Sequence, residues 1–80
     1  MKAIVNVFLK EGILDPQGKA TLHALAALGF SEVGDVRVGK RIVLKLNVET
    51  IEKAEEEAEK MAKELLVNGV IEDYLIDIEP

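Results

Sequence analysis

His23 is the only histidine, and the chain contains no cysteine and no tryptophan. Without thiols, disulfide scaffolds, thiolate metal sites and cysteine nucleophiles are excluded. His23 sits beside alanines in the middle of a helical stretch, where a lone histidine is more often structural than catalytic. Tyr74 falls on a strand, its ring turned inward and its hydroxyl at the rim. The run Glu55-Glu56-Glu57 imitates an acidic metal site only superficially, because consecutive helical residues point about 100° apart and cannot converge on one ion; it reads as a solvated face. Arg37, Lys40 and Arg41 form a small basic cluster that suits an anion or a partner surface. No nucleophile–base pair emerges, so the isolated chain reads as non-catalytic.

The elements that must carry these residues belong to one small domain spanning residues 1–80, with a net charge of −5. Positions 1–50 hold seven basic and five acidic residues, whereas positions 51–80 hold three and ten. An acidic chain without a basic stripe is a poor partner for a nucleic-acid backbone. The apolar start is interrupted by Asn6 and followed by Lys10-Glu11, too short and polar for a signal segment or a membrane span. A cytoplasmic protein is expected.

Lys2 to Lys10 has strand-like density of Val5, Val7, Phe8 and Leu9. Asp15-Pro16 then opens a helix: Asp15 can cap it, and proline suits the first helical position, where its missing N–H leaves no bond unmade. Gly29 supplies the left-handed residue after Leu28. A second strand is expected at Asp35–Val38, a hairpin turn or bulge at Gly39-Lys40, and a third strand to Val48. Ala54, Ala58, Met61, Ala62 and Leu65 form one stripe of a second helix beginning near Thr50. Asn68-Gly69 ends that helix, and Val70 to Ile78 reads as the fourth strand. The order β-α-β-β-α-β predicts an α+β, ferredoxin-like sandwich, with a four-stranded antiparallel sheet and two helices on one face.

Period-two alternation leaves Ile4, Asn6, Phe8, Arg37, Val43, Lys45, Ile71 and Leu75 on the sheet face away from the helices. An open antiparallel sheet is normally polar there, so this apolar surplus marks an interface. The first helix is apolar nearly all round, which also calls for a neighbour. A homo-oligomer, dimer or tetramer, is expected, with Ile4, Phe8, Val43 and Leu75 as its self-association residues.

Functions common on this architecture lack their residues. A metal chaperone needs Cys-x-x-Cys, and an RNA-recognition module needs stacking aromatics on its central strands; Arg41 to Val48 has none. No glycine-rich phosphate loop with its lysine is present.

Three stretches carry a specific likeness: Leu14-Asp15-Pro16-Gln17-Gly18, Val36-Arg37-Val38-Gly39-Lys40, and the run from Leu65 through Asn68-Gly69 to Tyr74. Together, in order and over the whole length, they resemble the PurS family of small subunits of phosphoribosylformylglycinamidine (FGAM) synthase. The family usually has proline where this chain has Gly69. The resemblance implies a non-catalytic subunit of a ligase complex of purine biosynthesis, which converts formylglycinamide ribonucleotide, glutamine and ATP to the formylglycinamidine, glutamate, ADP and phosphate. It implies that the chain bridges a PurQ-type glutaminase and a PurL-type synthetase and supports ammonia transfer between them. It further implies that ATP and magnesium are bound by the synthetase, with no cofactor in this chain. Asp15, Pro16, Gln17 and Gly18 at the helix start, Gly39, Lys40 and Arg41 at the turn, and Asn68 are then the expected partner contacts. The competing reading is an ACT-like regulatory domain that binds an amino acid near Glu11-Gly12. Calorimetry separates the two: saturable micromolar amino-acid binding favours the regulator, and silence the bridge.

Overall fold

A computed structural model describes residues 1–80, in the order β1 (Lys2–Leu9), α1 (Pro16–Ala27), β2 (Lys40–Lys45), α2 (Ile51–Met61), a π-helical turn (Ala62–Leu66) and β3 (Glu72–Glu79). The β-branched and apolar run of β1 takes the centre of an antiparallel sheet of order β2-β1-β3. Ile4 lies opposite Val43 and Asp77, Val5 opposite Ile42 and Ile76, and Val7 opposite Lys40 and Tyr74. Because side chains alternate across a strand, Val5, Val7, Ile42, Leu44, Tyr74 and Ile76 share the face that α2 covers. Ile4, Phe8, Val43 and Leu75 share the other.

Thr50 caps α2, its hydroxyl accepting the Lys53 N–H at 3.1 Å. Ala54, Ala58 and Ala62 recur every fourth residue, and none is exposed. Their methyl groups let the helix axis approach β1 closely, where a larger side chain would hold it away. Met61 and Leu65, expected in the same stripe, are exposed instead. The π turn explains Leu65: the Val67 N–H reaches the Ala62 carbonyl at 2.9 Å, one residue beyond the α-helical partner. The widened turn carries Leu66 and Val67 to the Val5–Val7 core and leaves Leu65 outside, 83% exposed.

The first helix has the local signals read from its sequence. Asp15 caps it, Pro16 is its first residue, and Gly29 follows Leu28 with φ of +95°. Its placement differs from expectation. α2, not α1, packs on the sheet, so the two helices do not share one sheet face.

The sheet has three strands rather than four. Asp35–Val38 pairs with no strand, and the chain passes Gly39-Lys40 without a turn, straight into β2. The physical reason is that the Val38 N–H is taken by the Asp15 carboxylate at 2.8 Å, while Gly39 lies against the backbone of Val7. A hairpin there would break both contacts.

With α1 off the sheet, the radius of gyration is 16.0 Å and the molecule extends 49 × 26 × 14 Å. A compact chain of this length would have a radius of about 12 Å. Only nine of eighty residues are buried, so the single chain keeps much of its apolar surface in water.

The alanine seat makes a quantitative expectation. Ala58→Leu should overpack the contact with β1 and cost about 1–3 kcal/mol in urea unfolding at fixed protein concentration, whereas Glu55→Ala on the solvent side should change stability by less than about 0.5 kcal/mol.

Candidate functional site

The start of α1 and the chain leading into β2 meet at one carboxylate. Asp15 is only 5% exposed. One of its oxygens accepts the Gly18 N–H at 2.8 Å, as a helix cap should, and the other accepts the Val38 N–H at 2.8 Å. These two backbone donors, Val38 first and Gly18 second, hold its carboxyl below the ordinary value of 3.8, with the Arg37 charge assisting against a desolvation that acts the other way. Gly18 sits beneath this knot, where an added Cβ would lie 2.1 Å from the Val36 carbonyl oxygen. At Gly39 the corresponding distance to the Val7 carbonyl oxygen is 2.6 Å. Both positions therefore admit no side chain.

Arg37 closes the junction from the other side. Its Nη1 donates to the Ile13 carbonyl at 2.9 Å and its Nη2 to the Lys10 carbonyl at 3.2 Å. The loop after β1 is thus tied to the segment before β2 at two points.

Above this knot lies a recess of about 390 Å³ lined by Val7, Phe8, Leu9, Asp15, Pro16, Gln17, Val38, Gly39, Lys40 and Glu72. Five of the residues expected to touch a partner (Asp15, Pro16, Gln17, Gly39 and Lys40) converge on it. Gly18 is buried below rather than in the lining. Arg41 points to the opposite sheet face, one residue out of phase with Lys40. Asn68 stands at the recess margin through Glu72, whose carboxylate accepts the Asn68 N–H at 2.8 Å. Asn68 in turn accepts the Val70 N–H at 3.1 Å and ends the helical segment. Glu72 itself was not singled out from the sequence; the only signal for it is its position four residues after an asparagine that must be capped.

The four expected self-association residues do share one face. Ile4 is almost covered by its neighbours at 5% exposure, while Phe8, Val43 and Leu75 remain exposed. The other titratable candidates are local pins. The Tyr74 hydroxyl donates to Glu59, which fastens β3 to α2 and raises the phenol above its ordinary value, chiefly through that bond. Glu56 and Glu57 pair with Lys53 and Lys60 along α2; the hydrogen bond to Glu57, then the nearby carboxylate charges, raises Lys53. His23 is exposed on α1.

The family model PurS, phosphoribosylformylglycinamidine (FGAM) synthase, matches residues 2–80. The chain belongs to the PurS family. A Bacillus subtilis relative, phosphoribosylformylglycinamidine synthase subunit PurS, is 46% identical over 98% of this chain and 92% of its own length. The crystal structure of PurS from Methanocaldococcus jannaschii, one of the subunits of formylglycinamide ribonucleotide amidotransferase in the purine biosynthetic pathway, superposes with a TM-score of 0.89 at 45% identity, covering 98% of this chain and 94% of that one. A chain in the structure of PurLQS from Thermotoga maritima gives a TM-score of 0.87 at 34% identity, with 95% and 93% covered. Membership of the PurS family makes the chain a subunit of a ligase of purine biosynthesis and displaces the ACT-type reading.

The Asp15 knot yields two expectations. Gly18→Ala should lower the melting temperature by about 5–20 °C at fixed protein concentration, because the methyl group has no room beside Val36. Asp15 has a lowered folded-state value, so its contribution is present above the ordinary 3.8 and is lost as pH falls through that lowered value. Asp15→Asn cannot accept at both oxygens; it should be less stable at neutral pH and show a shallower loss of stability than the parent on acidification below about pH 4.

Proposed function

We propose that this PurS-family chain acts without catalytic groups of its own, bridging the synthetase and glutaminase subunits of FGAM synthase and supporting the passage of ammonia between them. The observation that carries the reading is the open shape of the single chain. α1 lies off the sheet, Leu28 beyond its end is 74% exposed, and few residues are buried. Such a chain gains its missing apolar contacts from neighbours. The PurLQS structure containing a similar chain supports synthetase and glutaminase as those neighbours.

In this reading the recess is where the large subunits make contact. Pro16 and Gln17 on one wall and Gly39 and Lys40 on the other offer a fixed entry angle, exposed backbone and one cation, and Asn68 holds the margin. ATP and magnesium belong to the synthetase partner, and the complex works in the cytoplasm. No helix of the chain is long and apolar enough to cross a membrane. The ferredoxin-like order survives as an open variant, its second strand position left as an unpaired segment and its first helix free to be covered on assembly. Self-association, as a dimer or tetramer, uses the exposed sheet face.

The test is reconstitution with both large subunits. Gln17→Ala combined with Lys40→Ala should leave the fold intact by circular dichroism and weaken assembly about tenfold or more. Glutamine-dependent turnover should fall with it, while turnover on added ammonia persists. Unchanged assembly and unchanged activity with both nitrogen sources would remove the recess from the contact.

A further inference from the structure

We infer that Arg37 is a positioning residue: its guanidinium locks the turn after β1 and so fixes the angle at which α1 leaves the sheet. The role rests on the bridging reading above and names the residue that keeps the bridging surface in shape.

α1 has no extensive packing contact with any strand or with α2. Residues 31–34, which lead back from its far end, form no hydrogen bond with the sheet. Its direction therefore comes from the few residues between β1 and its own first turn. Lys10 is the fixed point there. Its N–H donates to the Ile71 carbonyl at 2.8 Å, and its ammonium reaches Asp73 at 2.6 Å. Its carbonyl accepts the Ile13 N–H at 3.1 Å, closing a four-residue turn in which Gly12 takes φ of +88°.

The Arg37 fork spans this turn, with Nη2 on the carbonyl that opens it and Nη1 on the carbonyl that ends it. The next residue, Val38, gives its N–H to Asp15. Two consecutive residues thus hold the start of α1 at two places. The Asp15 bond is a pivot, and the Arg37 fork stops rotation about it.

The leverage is considerable. The twelve residues of α1 make a rod about 18 Å long, so a rotation of about 10° moves its far end about 3 Å. One end of that rod carries Pro16 and Gln17 at the recess; the other carries exposed Leu28, with exposed Phe30 just beyond. A partner meeting both ends needs the angle set in advance. Both Arg37 bonds are exposed, so they govern direction while adding little to stability. A lysine at this position keeps the charge but has no planar fork to span two carbonyls.

The full-length chain tests this. It has no cysteine, so Ser31→Cys beyond α1 and Glu55→Cys on the solvent side of α2 take one spin-label pair. Labelled chains are measured in an excess of unlabelled chain. Arg37→Ala and Arg37→Lys should each shift the melting temperature by less than about 4 °C, yet broaden the distance distribution well beyond the parent's. With about one orientation in ten fitting the partners, the apparent Kd for the large subunits rises about tenfold. Excess variant chain should then restore glutamine-dependent turnover, and turnover on added ammonia should persist throughout.

An unbroadened distribution in Arg37→Ala overturns the clamp, and if assembly is weakened all the same, Arg37 is a direct contact instead. A parent-like Arg37→Lys overturns the fork in favour of charge. Turnover that excess chain fails to restore also overturns the positioning role. The distance readout needs no partner, so it stands apart from the bridging reading. Unchanged assembly in Gln17→Ala with Lys40→Ala counts against the recess, whereas assembly lost there and kept in a broadened Arg37→Ala overturns positioning alone.

Discussion

One carboxylate determines the shape of this molecule. Asp15 would need only one oxygen to cap α1; the second takes the Val38 N–H and fastens the helix start to the chain entering β2. That donor is then unavailable to a neighbouring strand. The segment Asp35–Val38 stays out of the sheet, the passage through Gly39 remains unturned, and α1 is held at the end of β1 instead of on the sheet face. Charged carboxylate–amide bonds are among the stronger hydrogen bonds a backbone can make, and here the carboxylate is nearly enclosed. Gly18 and Gly39 let the tied segments approach within distances no side chain permits.

The remainder of the single-chain fold is held by a narrow contact. Ala54, Ala58 and Ala62 set α2 against β1, and Val5 and Val7 are the largest fully buried side chains. Alanine methyl groups contribute modest apolar area each, so their value is the close approach they allow, which shields the central strand from water. A core of this size suits a part that is completed by others. Family membership and fold therefore agree: a subunit of a synthase can leave α1 and a sheet face bare because it does not work alone.

The two helices, the cap at Asp15, the terminating Gly29 and the facing of β1, β2 and β3 were legible in the sequence because each is governed by near neighbours or by strict alternation. Ile4, Phe8, Val43 and Leu75 share a face for that reason. The expected second strand, Asp35–Val38, was misread: Val36 and Val38 alternate as a strand should, and nothing local reveals that a carboxylate more than twenty residues earlier in the chain has claimed the Val38 amide. Lys40 and Arg41 looked like one cluster because they are adjacent, yet adjacency in a strand puts them on opposite faces. Met61 and Leu65 fit an ideal helical stripe, but the π turn changes the phase for Leu65. Asp15, Gln17 and Lys40 were expected as partner contacts from family likeness alone; their convergence on one recess, with Glu72 in its wall, depends on long-range packing that the sequence does not display.

The π turn between Ala62 and Leu66 also bears on which length changes the chain can absorb. Removing one residue there would restore a regular helix, but it would draw β3 forward by a single position. In a strand, a one-residue slip exchanges the two faces. Tyr74, Ile76 and Ile78 would leave the core, and Asp73, Leu75 and Asp77 would enter it, unless the turn around Asn68 grew by one to compensate. The extra residue thus acts as a parity device, and insertions or deletions in this stretch are expected to arise in coupled pairs, while the tip beyond α1 is free to vary one residue at a time.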